Sequence, residues 1–206
     1  MKLILVRHAH VEGIRPERFR GRTDVELTPL GRRQAAATAA RIRAEWSVDA
    51  IYTSPLRRCV ETGAAIASAT GVTPVIRQEF VDLDYGDWNG KTHAEIQQRY
   101  RDLFDAWHLT PHLVRFPGGD SLQDLAARTA EGLRVLLRDH AGQTVVLVAH
   151  DSVNRVLLLQ FVNLSLADYW RFMQEPACVN EIDCEASAQI RRINETWQLF
   201  DRAGGS

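Results

Sequence analysis

This sequence has almost no net charge, few lysines and no paired cysteine motif. Basic and acidic residues number 25 and 26, so the formal net charge is −1, and lysine occurs only at Lys2 and Lys91. A chain without an overall positive field is not expected to bind nucleic acid or an anionic membrane surface. An anion can therefore bind only where arginines gather locally, and the arginine fork suits phosphate or carboxylate oxygens.

Long apolar runs are missing too. The three cysteines, Cys59, Cys178 and Cys184, are an odd number without CxxC spacing, which predicts neither a disulfide framework nor a zinc site. No apolar run approaches the roughly 20 residues that span a bilayer, and residues 1–6 are too short for the apolar part of a signal peptide. We therefore expect a cytoplasmic protein without a membrane partner.

Several catalytic motifs are absent from the sequence. There is no Gly-x-Ser-x-Gly elbow and no Walker P-loop, so neither a serine hydrolase of that type nor a P-loop NTPase is expected. His8, His10 and His150 with Asp82 could ligate a metal. An H-x-H pair, however, projects both rings the same way only in an extended strand, and this pair follows the end of a predicted strand. The sequence predicts no metal and no cofactor.

The order of apolar runs predicts the fold class. The 206 residues, of which 45% are hydrophobic, suit one globular domain over residues 1–206. Short apolar runs at 3–6 and 144–149 are typical of strands that are buried on both faces, and helical segments lie between them. This alternation predicts a single-domain α/β three-layer sandwich, with a mainly parallel sheet and helices on both faces.

Caps, prolines and glycines place the predicted elements along the chain. Predicted strands occupy 3–6, 49–53, 74–80 and 144–149, with an antiparallel pair at 178–185 and 188–200. Predicted helices, with their capping residues, occupy 28–46, 54–70, 92–107, 121–140 and 152–161. Residues 108–120 are predicted to form a loop, and residues 203–206 a frayed tail.

Residues that can carry chemistry follow four of the predicted strands. In chain order they are Arg7 and His8, then Arg58, then Asp82, and finally His150 with Asp151. The carboxyl ends of parallel strands meet at one edge, where open α/β sheets bind their ligands. Each residue alone has an ordinary structural explanation, such as a helix cap or a solvated arginine. Their convergence on one edge favours a site.

Two histidines, several arginines and a carboxylate suit phosphoryl transfer. A neutral imidazole is a good nucleophile toward phosphorus, and a covalent phosphohistidine divides one difficult displacement into two easier ones. Guanidinium groups stabilise the charge on the oxygens of the transferred group. A carboxylic acid can give the leaving alkoxide its proton.

An ordered set of motifs resembles the histidine phosphatase superfamily, in its phosphoglycerate mutase-like group and small phosphatase branch. The R-H-G motif of that family corresponds to residues 5–9 (LVRHA). The other family-like segments are 18–28 (RFRGRTDVELT), 54–58 (SPLRR), 82–90 (DLDYGDWNG), 117–121 (PGGDS) and 148–150 (VAH). The R-H pair alone would be weak evidence, whereas the ordered set from residue 3 to about residue 160 is specific.

The resemblance implies a role for each candidate residue. His8 would be the phosphorylated nucleophile, and Asp82 would donate the proton in the place of the usual glutamate. The phosphate would be held by Arg7, Arg58 and His150. The substrate would be bordered by Arg20 and Gly21.

The sequence departs from the family pattern beside both histidines. Ala9 replaces the glycine after the first one. Asp151 follows the second one, where most relatives of this branch carry glycine, and in the acid phosphatase branch a His-Asp pair supplies the proton donor. Two carboxylates therefore compete for the role of acid. Asp82 is preferred because Gly86 and Trp88 match the smaller branch, and Asp151 is then a helix cap or a substrate contact.

The resemblance implies a metal-independent phosphatase that hydrolyses a small phosphomonoester through a phosphohistidine. The stretch between Gly90 and Pro117 is short, like the lid of the small phosphatases, whereas a mutase needs added segments over a closed basic pocket. Phosphoglycerate mutase-type phosphoryl transfer is the first alternative, and a non-catalytic module that binds a phosphate ligand is the second. The expected partner is a small phosphorylated metabolite, and a homodimer is one oligomeric state that the sequence leaves open.

Overall fold

A mainly parallel sheet of six strands runs through the computed structural model, which describes residues 1–14, 17–185 and 187–200. The strands are β1 (Lys2–Arg7), β2 (Ala50–Thr53), β3 (Pro74–Ile76), β4 (Thr144–Ala149), β5 (Val179–Asp183) and β6 (Gln189–Glu195), in the sheet order β3-β2-β4-β1-β5-β6. The first four strands are parallel, and β5 and β6 join the sheet as antiparallel strands beside β1. The predicted α/β fold with its antiparallel edge pair is confirmed. The tail at 203–206 lies outside the described residues.

Helices cover both faces of this sheet. They are α1 (Pro29–Glu45), α2 (Arg57–Thr70), α3 (His93–Arg99), α4 (Arg101–Leu109), α5 (Leu122–Asp139) and α6 (Asp151–Phe161). Successive side chains of a strand point to opposite faces, so Ile4 and Val6 pack in a core with residues of α1 and α2. Leu3 and Leu5 pack in a second core with residues of α5 and α6. The two cores make the three layers of the predicted sandwich.

Two helices begin at their predicted capping residues. The Thr28 hydroxyl accepts a hydrogen bond from the Gly31 amide at 3.0 Å. Ser121 and Asp124 form a capping box, in which each side chain accepts a hydrogen bond from the other residue's amide. Such bonds satisfy amides that a helix leaves unpaired at its start. Among the helices that the structure describes, none combines the length and the apolarity that crossing a bilayer requires.

Several predicted elements were wrong in extent. The helix predicted at 54–70 begins at Arg57 without a side-chain cap, and the strand predicted at 188–200 spans only Gln189–Glu195. The strand predicted at 74–80 ends at Ile76, because β2, its one neighbour among the described strands, ends at Thr53 and offers no further partner. A short 3₁₀ turn follows at Gln78–Phe80. The helix predicted at 92–107 is two helices, α3 and α4. Tyr100 separates them with φ −132° and ψ 46°, outside the helical region, and α4 then continues to Leu109.

Candidate active site

A cavity of about 280 Å³ opens at the carboxyl edge of the sheet, where β1 and β4 end. Six of the eight predicted site residues line it: Arg7, His8, Arg20, Gly21, Asp82 and Asp151. The remaining two, Arg58 and His150, are fully buried behind it. The structure therefore brings all eight predicted residues together. We call Arg58 and His150 the inner layer, and the six residues that border the cavity the lining layer.

His8 presents one ring nitrogen for chemistry. Its Nδ1 lies 2.8 Å from the carbonyl oxygen of Ala9, which can only accept, so the proton is on Nδ1 and Nε2 keeps its lone pair. Burial, followed by the charge of Arg58, holds the pKa of His8 well below the ordinary histidine value. The imidazole is therefore neutral near neutral pH and suited to nucleophilic attack.

His150 lies beside His8, with ring centroids 5.4 Å apart and ring planes at 61°. Its Nδ1 accepts a hydrogen bond from Nε of Arg58 at 3.2 Å, and its Nε2 lies 2.7 Å from the hydroxyl of Ser54. Burial and the charge of Arg58 hold the pKa of His150 well below the ordinary value. The second imidazole is therefore also neutral, and its orientation is fixed from both sides.

Arg58 connects the parts of the inner layer. Its Nη2 donates to the carbonyl of Gly21 at 2.7 Å and to Oδ2 of Asp82 at 2.9 Å, and its Nη1 donates to the carbonyl of Thr23 at 2.8 Å. With Nε bound to His150, all three of its nitrogens have protein partners. Arg58 thus positions its neighbours as well as adding positive charge beneath the cavity.

Arg7 and Arg20 bring positive charge to the cavity wall. One Nη1–H of Arg7 donates to the carbonyl oxygen of Gln174, while its buried Nε has no partner among the described residues. Nη1 of Arg20 donates to the carbonyl of Gly13 at 2.7 Å, and burial with the neighbouring charge of Arg7 lowers the pKa of Arg20 to about 10. One buried and one half-buried guanidinium group with unused donors suit the binding of an oxyanion.

Glycine is required at position 21. Its φ is +47°, and an added Cβ would overlap the Asn89 side chain and lie 2.9 Å from the carbonyl of Leu83. This backbone carries the carbonyl that holds Arg58. A side chain here would therefore disturb the inner layer through the main chain.

The two competing carboxylates have different surroundings. Asp82 is held on both oxygens: Oδ2 accepts from Arg58, and Oδ1 accepts from the Leu83 amide at 2.9 Å and from the hydroxyl of Ser152. Among the described residues, Asp151 makes one ion pair, in which its Oδ1 lies 2.8 Å from Nε of Arg155. Asp151 is the first residue of α6, and no side chain caps that helix. The capping alternative for Asp151 was therefore wrong.

Several residues of the cavity were missed as site residues from the sequence. The main ones are Tyr85, His93, Ser152, Arg155 and Gln174. Tyr85 lies inside a family-like segment, and Arg155 stands four residues after Asp151, which is the spacing of an ion pair on a helix face. Gln174 comes from a loop far along the chain and carries no sequence signal.

Fold and site together define an α/β protein that presents a buried neutral imidazole to a cavity lined by arginines. The chain belongs to the histidine phosphatase superfamily (branch 1), whose family model matches residues 3–196. It is 32% identical to phosphoserine phosphatase 1 of Hydrogenobacter thermophilus over 97% of this chain and 94% of that one. Two solved structures are also similar: Bacillus stearothermophilus YhfR (TM-score 0.90, 27% identity, 97% and 99% coverage) and mycobacterial glucosyl-3-phosphoglycerate phosphatase Rv2419c (TM-score 0.84, 26% identity, 94% and 98% coverage).

Proposed function

We propose that this protein is a metal-independent phosphatase that hydrolyses a small phosphomonoester through a phosphohistidine at His8. The observation that carries the proposal is the state of His8: its Nδ1 is tied to Ala9, its Nε2 is unprotonated, and it lines the same cavity as Arg7 and Arg20. A nucleophile and an oxyanion site thus share one small cavity. The phosphatase names of the relatives support hydrolysis as the outcome.

The first half of the reaction forms the phosphoenzyme. Nε2 of His8 attacks phosphorus, the P–O bond to the leaving group breaks, and the leaving alkoxide takes a proton from Asp82. Arg7 and Arg20 bind the oxygens of the transferred group, where negative charge must be stabilised. Arg58 and His150 hold this arrangement from beneath.

The second half returns the enzyme to its starting state. A water molecule attacks phosphorus, the N–P bond breaks, and Asp82 accepts a proton from the water. Inorganic phosphate then leaves. Asp82 is predicted to serve as acid in one half and base in the other, which a single carboxyl group can do.

Replacement of the nucleophile tests the proposal. We expect wild-type protein to hydrolyse p-nitrophenyl phosphate in the presence of EDTA and to form an acid-labile phosphoprotein during turnover. His8→Ala should abolish both signals, because no other group can accept the phosphoryl group at that point. His112→Ala, at a 3₁₀ turn outside the cavity, is the control and should retain both. Turnover by the His8 variant would refute the proposed intermediate.

The mutase alternative makes a different set of products. With 3-phosphoglycerate and a bisphosphate activator, a mutase would produce 2-phosphoglycerate, whereas the phosphatase should release inorganic phosphate. A non-catalytic module would bind phosphate and release none from any ester. Product analysis of that mixture identifies a mutase, and phosphate release from a panel of other esters distinguishes a phosphatase from a binding module.

A further inference from the structure

An ion pair on α6 faces the same cavity as His8 and has no part in the steps above. Asp151 and Arg155 lie one helical turn apart, with Oδ1 and Nε 2.8 Å apart, and both line the cavity. Their side chains are 31% and 10% exposed. Both members of the pair therefore belong to the wall of the cavity that His8 also lines.

The guanidinium group of Arg155 is held in place on several sides. Its Nη1 donates to the carbonyl of Tyr169 at 3.3 Å, and its central carbon lies 5.4 Å and 5.1 Å from the ring centroids of Tyr169 and Trp170. Trp170 is itself fixed, since its Nε1 donates to the carbonyl of Trp107 at 2.8 Å. A side chain held in this way loses little freedom when it binds a ligand.

Each member of the pair keeps one polar atom that makes no hydrogen bond to the described protein. Within the described chain, Nη2 of Arg155 donates to no protein group and Oδ2 of Asp151 accepts no hydrogen bond. The paired charges cancel, so the pair attracts a simple anion only weakly. A dipole of this kind complements a ligand that carries a cation and an anion side by side.

The lining of the cavity carries charges of both signs. Arg7 and Arg20, which would bind phosphate, are close enough to His8 to lower its pKa, and the lining also includes the carboxylates of Glu17, Asp151 and Glu175. Glu17 is engaged by His93 at 3.3 Å. An ammonium group on the leaving group would therefore find a carboxylate, and a carboxylate would find Arg155.

We propose that the Asp151–Arg155 pair is the specificity site for a zwitterionic leaving group, such as the α-amino acid part of a phosphorylated amino acid. Oδ2 of Asp151 binds the ammonium group, and Nη2 of Arg155 binds the carboxylate. The phosphate occupies the site of Arg7 and Arg20. This assignment rests on the proposed phosphatase function and makes Asp151 a substrate contact.

Four phosphomonoesters test the ammonium group and the carboxylate of the leaving group independently. O-phosphoserine carries both, phosphoethanolamine carries only the ammonium group, 3-phosphoglycerate carries only the carboxylate, and glycerol 3-phosphate carries neither. We expect wild-type kcat/KM to be highest for O-phosphoserine, by about tenfold or more over each of the others, since each charge-assisted hydrogen bond adds to binding. Phosphate release is the readout.

The two variants should lose different parts of this preference. Arg155→Gln should bring the ratio of kcat/KM for O-phosphoserine over phosphoethanolamine close to one. Asp151→Asn should do the same for the ratio of O-phosphoserine over 3-phosphoglycerate. Arg171→Gln is the matched control, because that exposed arginine pairs with Asp168 outside the cavity. Both ratios should stay at the wild-type level.

Each outcome decides for or against the pair as the specificity site. A wild type without preference among the four esters, or variants that slow all four equally, would show that the pair only stabilises α6. If Arg155→Gln does not fold, Arg155→Lys keeps the charge without the fork and should give an intermediate ratio; an unchanged ratio overturns the assignment. A wild type that releases phosphate from none of the esters and forms no phosphohistidine contradicts the phosphatase function itself.

Discussion

The reactivity of His8 depends on what surrounds one imidazole ring. The carbonyl of Ala9 fixes the tautomer, and burial with the charge of Arg58 keeps the ring neutral. Alanine at position 9 has a negative φ, since it is absent from the residues with positive φ. The replacement of the family's usual glycine therefore places no strain on the backbone beside the nucleophile.

The roles of Asp82 and Asp151 can be distinguished by replacing each residue and comparing esters with different leaving groups. Asp82→Asn should slow hydrolysis of an alkyl phosphate far more than that of p-nitrophenyl phosphate, because only the alkoxide needs a proton. We expect a loss in kcat of about a hundredfold or more for the alkyl ester, the usual size of general acid catalysis. Steady-state kinetics with both esters measure the difference.

Asp151→Asn is the matched comparison for that experiment. It removes a carboxylate from the same cavity, and we expect it to raise KM for esters that carry an ammonium group. The size of this effect should not depend on the pKa of the leaving group. If Asp151→Asn shows the leaving-group pattern and Asp82→Asn does not, the proton donor is Asp151. The ion pair of Asp151 with Arg155 at 2.8 Å favours its role as a contact.

At the scale of elements, the start of α6 delivers several cavity groups at once. His150 precedes the helix, Asp151 and Ser152 form its first turn, and Arg155 follows one turn later. A helix repeats every 3.6 residues, so residues four apart share a face. The end of β4 therefore fixes one histidine, one hydroxyl and one ion pair through a single backbone junction.

The start of α5 shows what a cap contributes away from the site. The Ser121 hydroxyl and amide bond to Asp124, and Ser121 is buried. Ser121→Ala should lower the free energy of unfolding by about 1 kcal/mol, as for other helix caps, and leave kcat unchanged. Denaturant titration measures the change.

Ser68→Ala is the control for the cap. Ser68 is exposed, and its hydroxyl donates a hydrogen bond to the Ala64 carbonyl within α2. Since alanine forms helices better than serine, removal of this hydroxyl should not lower the free energy of unfolding. Equal effects of the two substitutions would mean that the capping box adds nothing to stability.

For the whole molecule, the two buried histidines couple stability to pH. Their pKa values are lowered in the folded state, mainly by burial, and return to about 6.5 in the unfolded chain. Below pH 6.5 the unfolded state therefore binds more protons than the folded state. The free energy of unfolding should fall as pH falls from 6.5, by up to about 1.4 kcal/mol per pH unit for each histidine, and should be independent of these groups at higher pH.

Thermal or denaturant unfolding between pH 5.5 and 7.5 checks this dependence. His150→Gln removes one titrating group, so the decline below pH 6.5 should become shallower in that variant. Ser68→Ala removes no titratable group and should keep the wild-type slope. A stability that is flat over this range would contradict the neutral, buried state of the two rings.

The fold was largely predictable because its signals are local. Apolar runs of four to six residues mark the central strands, and caps such as Thr28 and Ser121 mark helix starts. The short β3 and the break at Tyr100 were not predicted, since the first depends on where its neighbour ends and the second on tertiary packing of the chain around it. Neither has a local sequence signal.

The sequence by itself determined that His8 and His150 leave the sheet at its carboxyl edge, because each follows a short apolar run that is typical of a strand buried on both faces. That reasoning found His8, His150 and the arginines near them. Only the tertiary structure decided which groups face the cavity and which lie behind it. Arg58 is turned inward by Gly21, Asp82 and His150, and Arg7 is held by Gln174, 167 residues along the chain. Contacts at that separation form when packed elements meet, and no local pattern in the chain encodes them.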